Sequence, residues 1–138
     1  MSTHYLLDAC ALIAYINDED GADVVDALLN QASDDVVSLS MSMVNILEVY
    51  YGVLRDFGHD KAEEILIEIF SLPIIVIPEL TGETLREAGR LKANHRMSLA
   101  DSVALGIASV YSYTVVTADH HELDSVSQIE PIQFLWIR

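Results

Sequence analysis

The chain has 138 residues, 51% of them hydrophobic, and its 22 acidic and 7 basic residues give a formal net charge of -15. This length suits a single domain spanning residues 1–138, and the acidic balance argues against the basic surface that nucleic-acid-binding proteins usually show. The single cysteine excludes an intrachain disulfide, the N-terminal apolar run lacks a preceding Lys or Arg, and no apolar run is long enough to cross a membrane, so we expect a cytoplasmic protein.

The first half of the chain predicts two strands and four helices. The strands are apolar runs at 5–7 and 36–39, and apolar residues at helical spacing predict helices at 11–16, 22–30, 43–55 and 60–70. Ser42 is suited to cap the third helix. We expect the apolar stripe of this helix to face the core; the stripe consists of Val44, Leu47, Tyr51 and Leu54.

The second half predicts three strands and two helices. The run at 74–77 is continuously apolar, which is typical of a strand buried on both faces. Helices are predicted at 81–94 and 99–110, and strands at 113–116 and 132–137. The segment 118–121 indicates a loop that contains His120 and His121. Glu122 and Asp124 are either surface acids, which we favour, or a fifth carboxylate for the site.

Alternating strands and helices predict an α/β fold, in which a parallel sheet lies between helices. Ligands of such sheets bind outside the carboxyl ends of the strands. Asp8 directly follows the first strand and Asp119 shortly follows the fourth, so the two meet if these strands are neighbours. Each also has a simpler interpretation, Asp8 as a helix cap and Asp119 as a turn residue.

Two further carboxylates lie on predicted helices. Glu48 is at the edge of the apolar stripe, where it either binds a partner or bends toward water. Asp101 follows Ser98 at the spacing of a capping box, so it is either a structural cap or a site residue. If all four acids converge, they cannot all stay ionised without a cation. Hard oxygen ligands favour one or two Mg²⁺ or Mn²⁺ ions over zinc.

Four short segments resemble the motifs of the PIN domain family. They are LLDACAL at 6–12, NILEVYYG at 45–52, SLADS at 98–102 and VTAD at 116–119. Their order and spacing also agree with the family, and the similarity extends over nearly the whole chain. Within the family, the chain is most similar to the VapC-type toxins of bacterial toxin–antitoxin pairs.

This resemblance implies a Rossmann-like three-layer sandwich with about five parallel strands in the order 3-2-1-4-5. It implies a ribonuclease that depends on Mg²⁺ or Mn²⁺, with Asp8, Glu48, Asp101 and Asp119 as its metal-binding and catalytic residues. VapC-type toxins typically form homodimers and are silenced by an antitoxin. An antitoxin with a basic segment would suit this acidic chain.

Two positions near the acids are expected to order them. Thr117 keeps the hydroxyl that the family has in its fourth motif, and we expect it to hold a carboxylate or a substrate phosphate. Cys10 stands where the family usually has Ser or Thr. Because a thiol forms weaker hydrogen bonds than a hydroxyl, Asp8 or the water of a metal ion would be less firmly ordered, and activity lower.

The basic residues are concentrated in one region. Four of the seven lie between positions 86 and 96, where they are either RNA contacts or part of an ordinary solvated helix face; they are Arg86, Arg90, Lys92 and Arg96. Tyr50 and Tyr51 favour core or interface positions over base stacking.

Other functions are weighed against a nuclease. Cys10 stands where a D-x-D phosphatase needs its second aspartate, and no lysine follows the fourth strand as a receiver domain would require. The remaining alternative is a catalytically inactive PIN-like domain that serves as a protein-interaction module. The acidic surface and Cys10 favour that alternative, whereas the four intact acids favour the enzyme.

Overall fold

The computed structural model describes residues 3–138, which form five strands and seven helices around one sheet. In chain order they are β1 (His4–Leu7), α1 (Ala9–Ile16), α2 (Ala22–Ser33), β2 (Ser38–Ser42), α3 (Met43–Phe57), α4 (His59–Ser71), β3 (Ile75–Ile77), α5 (Gly82–Asn94), α6 (Leu99–Tyr111), β4 (Thr114–Thr117), α7 (His120–Ile129) and β5 (Phe134–Trp136). None of the helices in this range has the length and apolar character needed to cross a bilayer.

The sheet confirms the predicted topology. All five strands are parallel and lie in the order β3-β2-β1-β4-β5. Leu7 at the end of β1 pairs with Met41 of β2 on one side and with Val116 of β4 on the other. The strand order reverses between β1 and β4, so the carboxyl ends of these two strands form the crevice in which open α/β sheets bind ligands.

Helices cover both faces of the sheet because successive strand residues point to opposite sides. Leu7 and Val116 pack into a core cluster with α1 to α4. Their neighbours Leu6 and Val115 pack into a second cluster with α5, α6 and α7. This alternation explains why the central residues of β1 and β4 are all apolar. Because Leu7 pairs with Val116, the residues that follow these two strands leave the sheet at the same level.

The structure corrects several predicted elements. β2 starts at Ser38 and continues to Ser42, beyond the predicted 36–39. β3 is an edge strand with Ile75 56% exposed, so the apolar run at 74–77 is not buried on both faces. His120 and His121, predicted in a loop, instead begin α7, a helix missed by the sequence analysis in which only Leu123 and Val126 are buried. A helix held by two core residues gives too weak an apolar periodicity to be recognised in the sequence.

The core-facing side of α3 also differs from the prediction. The buried residues of α3 are Asn45, Ile46 and Val49. Leu47 and Tyr51, which belong to the predicted core stripe, are 58% and 50% exposed. Leu47, Tyr51 and Leu54 therefore face solvent, whereas Val44, the first residue of the predicted stripe, packs against the second core cluster.

Candidate functional site

Asp8 is fixed at the carboxyl end of β1 by the start of the next helix. Its backbone N–H donates to the Val116 carbonyl across the β1–β4 pair at 3.2 Å, which continues the sheet by one residue. Its Oδ1 accepts a hydrogen bond from the Ala11 N–H at 2.8 Å and caps α1. The side chain is 2% exposed. The cap predicted from the sequence is present, and it holds the carboxyl group in the crevice at the same time.

Thr117 and Asp119 come from the adjacent strand end. The Thr117 hydroxyl accepts a hydrogen bond from the Asp119 N–H at 3.0 Å. The Asp119 Oδ1 in turn accepts from the Glu122 N–H at 3.1 Å, so Asp119 is the N-cap of α7 and not a turn residue. Thr117 is fully buried and contacts both aspartates that follow β1 and β4, and its role in ordering them stays a prediction.

Asp101 and Glu48 reach the same crevice from helices. The Ser98 hydroxyl accepts from the Asp101 N–H at 3.1 Å, which confirms the cap at the start of α6. Asp101 is only 8% exposed. Glu48, on α3, is partly exposed at the mouth of the crevice.

These residues line a cleft of about 370 Å³ at the carboxyl edge of the sheet. Acidic side chains from four different elements surround it, and Asp8 lies beneath. Its lining consists of Ala9, Cys10, Ile13, Glu19, Glu48, Tyr51, Gly52, Arg55, Ser98, Asp101, Asp119 and Glu122. The structure thus brings together the four acids that the sequence singled out.

Burial and mutual repulsion change the acidity of these groups. Burial raises the pKa of Asp8 to about 7, and the charges of Asp101 and Asp119 add to the rise, against hydrogen bonding by Thr117 and Ala11. Burial likewise raises the pKa of Asp101 to about 6. The pKa of Glu48 is also raised, first by burial and then by Asp119. The cleft therefore concentrates negative charge that its own residues do not neutralise.

The cleft residues fit a hydrated divalent cation better than a fully dehydrated one. Among residues 3–138, no three His, Cys, Asp or Glu side chains come close enough to act together as direct ligands of one ion. Mg²⁺ commonly keeps several waters and binds one or two carboxylates directly. Asp8, Asp101 and Asp119 offer oxygen donors only. A bound cation would favour their ionised forms and so oppose the burial and repulsion that raise the pKa of Asp8 and Asp101.

Asn45 is a buried amide that the sequence had only marked as part of a motif. It lies three residues before Glu48, on the same side of α3, and is 0% exposed. Neither its Oδ1 nor its Nδ2 has a hydrogen-bond partner among the described residues. It is nevertheless near enough to Glu48 to oppose the rise in that residue's pKa. Because buried amides are almost always satisfied, this one suits a water or a reoriented Glu48 at the back of the cleft.

Cys10 lines the cleft beside Asp8, as its place in the sequence predicts. Burial raises the pKa of its thiol to about 11, and the charges of Asp8 and Asp119 contribute. The thiol is therefore protonated at neutral pH and is not a nucleophile or a metal ligand in this state.

The basic residues do not surround the cleft as the RNA-contact prediction would favour. Arg86, Arg90, Lys92 and Arg96 belong to α5 and the segment after it, and none of them lines the cleft. Arg90 is already paired with Glu87 at 2.7 Å and Glu130 at 2.8 Å. Contact of this group with RNA stays a prediction.

Several cleft residues were missed or assigned elsewhere from the sequence. Glu122 lines the cleft, although it was expected on the open surface, and Arg55 is the one basic side chain in the lining. Tyr51 lines it as well, with half of its side chain exposed. The spacing of Glu48, Tyr51 and Arg55 along α3 was a usable signal, because residues three and four apart share a helix face.

A parallel 3-2-1-4-5 sheet between helices, with a carboxylate-lined cleft at its strand switch point, defines the class of α/β proteins to which this chain belongs. A profile of the PIN domain family matches residues 5–128, nearly the whole chain. The chain belongs to the PIN domain family. No curated protein sequence matches it.

Solved structures of toxin–antitoxin proteins share this fold. A DNA-bound VapBC complex from Salmonella typhimurium aligns with a TM-score of 0.75 at 17% identity, over 100% of both chains. VapBC2 from Rickettsia felis, bound to a promoter DNA fragment, aligns with a TM-score of 0.72 at 16% identity, over 96% of this chain and 98% of that one. VapC20 from Mycobacterium tuberculosis, a toxin that cleaves the sarcin–ricin loop, aligns with a TM-score of 0.66 at 13% identity, over 88% and 94%.

Proposed function

We propose that this chain is a divalent-metal-dependent endoribonuclease and the toxin of a type II toxin–antitoxin pair, acting in the cytoplasm. The observation that carries the proposal is that Glu48, Asp101 and Asp119 line one cleft of a PIN domain, and that the buried Asp8 is close enough for the charges of Asp101 and Asp119 to raise its pKa. Similar folds occur in toxins of the VapBC systems, one of which cleaves an RNA loop.

The buried and the exposed acids of the cleft would have different roles. Asp8, Asp101 and Asp119 would hold one or two Mg²⁺ or Mn²⁺ ions, each ion binding one or two of them directly and the others through water. The Thr117 hydroxyl, which accepts from the Asp119 N–H and contacts Asp8, would order both strand-end aspartates. Bound metal would lower the pKa of a water and offset the charge that develops on the phosphodiester. Glu48 lies at the exposed rim, where its raised pKa suits it to accept a proton from a water approaching the phosphorus.

A protein partner is supported by the exposed apolar surface. Leu47 and Phe70 are more than half exposed and line one apolar groove between α3 and α4, together with Met43, Val44 and Leu66. Apolar surfaces of this kind usually mark protein interfaces. We assign them to an antitoxin and to a homodimer contact. A basic antitoxin segment would complement the net charge of -15.

The decisive test combines cleavage with metal binding. Purified protein is incubated with transfer RNA, ribosomal RNA and a synthetic sarcin–ricin loop hairpin, in Mg²⁺, in Mn²⁺ and in EDTA. The variants Asp8→Asn and Asp101→Asn run beside it, with Asp26→Asn as a control because Asp26 is exposed on α2, away from the cleft. The expected result is metal-dependent cleavage that both cleft variants lose and the control keeps.

Melting temperatures in each metal distinguish the possible failures. Cleavage that persists in EDTA contradicts the proposed role of metal. Wild-type protein that neither cleaves RNA nor gains thermal stability from Mg²⁺ or Mn²⁺ contradicts the enzyme, and favours the inactive interaction module instead.

A further inference from the structure

Gly52 occupies an unusual place on α3. It lies in the helix interior and lines the cleft one turn after Glu48. Glycine is less stable than alanine in the interior of a helix because it loses more backbone freedom on folding. A side chain at this position therefore ought to be favoured unless something excludes it.

Nothing among the described residues excludes a side chain there. A Cβ atom built on Gly52 has no heavy atom within 4 Å. The two glycines with left-handed backbone are Gly21 and Gly58, so the conformation of Gly52 does not demand glycine either. Neither packing nor backbone strain explains the missing side chain, and the space that it leaves open belongs to the cleft.

The residues around Gly52 indicate what fills this space. Arg55 is the only cation in the lining of a cleft that is otherwise acidic. Its guanidinium lies 5.9 Å from the centre of the Tyr51 ring, which is half exposed. Among residues 3–138, Arg55 forms its one salt bridge with its exposed chain neighbour Asp56, at 2.9 Å. An aromatic face, a cation and an open helix backbone in one strip are suited to a base, a phosphate and a sugar.

We propose that Gly52 is a positioning residue that lets the sugar–phosphate backbone of a single RNA strand lie against α3, with one base on Tyr51 and the neighbouring phosphate on Arg55. This rests on the proposed ribonuclease function. RNA is favoured over a protein partner because the strip begins at Glu48 and opens into the carboxylate cleft, whereas the exposed apolar residues of α4 lie outside the cleft lining.

The chain supplies a matched control for the glycine. Gly89 lies inside α5, its Cβ would also meet nothing within 4 Å, and it does not line the cleft. Alanine at either position is expected to raise the melting temperature by a few degrees, since both changes favour the helix. Gly52→Ala, but not Gly89→Ala, is expected to slow RNA cleavage about 3- to 10-fold, and Gly52→Leu more than tenfold.

Binding measurements test the contribution of Arg55 to RNA affinity separately. In an Asp101→Asn background that prevents cleavage, fluorescence anisotropy with a labelled sarcin–ricin loop hairpin and a labelled single-stranded 12-mer follows affinity against salt. Arg55→Gln is expected to weaken binding and to reduce the slope of log K against log salt by about 0.7, the value for one phosphate contact on a single strand. Lys61→Gln is the charge-matched control, because Lys61 is on α4 and outside the cleft.

Three results would overturn the inference. Equal cleavage rates for Gly52→Ala and Gly89→Ala would show that the open space is not used by RNA, even if Gly52→Ala lost affinity for a protein partner. A lower melting temperature for Gly52→Ala than for wild type would show that Gly52 serves the fold. Unsubstituted protein that neither binds nor cleaves any of the RNAs would remove the proposed function and this inference with it, whereas the first two results leave the function standing.

Discussion

Replacing Asp8 by Asn in metal-free protein tests the electrostatic description of the cleft. Burial raises the pKa of Asp8 to about 7, from an ordinary value of 3.8 that we assign to the unfolded chain. The folded state therefore holds this proton more tightly than the unfolded state. The resulting stabilisation is complete below pH 3.8 and is lost as the pH rises through about 7.

The size of the effect follows from the pKa difference. A difference of about 3 between folded and unfolded states corresponds to roughly 4 kcal/mol at about 1.4 kcal/mol for each pKa unit. Asparagine cannot ionise, and its side-chain oxygen can still accept the Ala11 hydrogen bond. Metal-free Asp8→Asn should therefore be more stable than wild type by up to about 4 kcal/mol at pH 8, and by little at pH 4.

Urea unfolding in EDTA between pH 4 and pH 8 measures this difference directly. Asp26→Asn, an exposed aspartate on α2, controls for the loss of one negative charge from the acidic surface. Adding 10 mM Mg²⁺ at pH 8 should stabilise wild type and leave Asp8→Asn unchanged. A metal-free wild type whose stability is flat from pH 4 to pH 8, with Asp8→Asn no more stable, would refute the reasoning.

Three further substitutions address ordering, packing and a buried ion pair. Cys10→Ser should lower the Mg²⁺ concentration for half-maximal thermal stabilisation by up to about tenfold, because a hydroxyl orders the neighbouring acids better than a thiol. Gly106→Ala should cost about 1–3 kcal/mol in urea unfolding, because its Cβ would lie 2.9 Å from the backbone N and the Cβ of Ala88. Glu130→Gln should cost about 1–2 kcal/mol at pH 7 by weakening the 2.7 Å contact with His95. Because Arg90 and His95 lower the pKa of Glu130 to about 2, this loss of stability should shrink as the pH falls toward 2.

Each of these predictions has its own control or contrary result. Gly89→Ala on α5 should be neutral or stabilising, so a similar loss there would mean that Gly106→Ala acts through something other than the α5–α6 contact. An unchanged or higher Mg²⁺ requirement for Cys10→Ser would show that the thiol does not limit ordering. A Glu130→Gln variant that is destabilised equally at pH 7 and pH 3 would point to packing rather than charge.

The sequence by itself determined most of the strands and helices and the four acids that meet at the carboxyl end of the sheet, but neither α7 nor the place of Glu122 in the cleft. Apolar runs located the central strands β1 and β4 because strands buried on both faces need continuous hydrophobic residues. Asp8, Asp101 and Asp119 follow strands or helix caps at positions that local hydrogen bonding dictates, so each was recognisable from its immediate neighbours. The four motifs in order were sufficient to indicate the PIN domain family, which the profile match confirms.

The tertiary structure alone decided which surfaces these elements present. Local spacing shows that α3 has an apolar stripe, but contacts with α1, α4 and the sheet bury Asn45 and Val49 and leave Leu47 and Tyr51 exposed. Glu122 likewise joins the cleft only because Leu123 and Val126 of α7 dock against the second core cluster. The burial of a side chain depends on contacts with residues that are distant in the chain, and the pKa changes that burial causes depend on the same contacts. For that reason the sequence identified which acids could meet, whereas the fold decided how strongly they repel and which residues stand beside them.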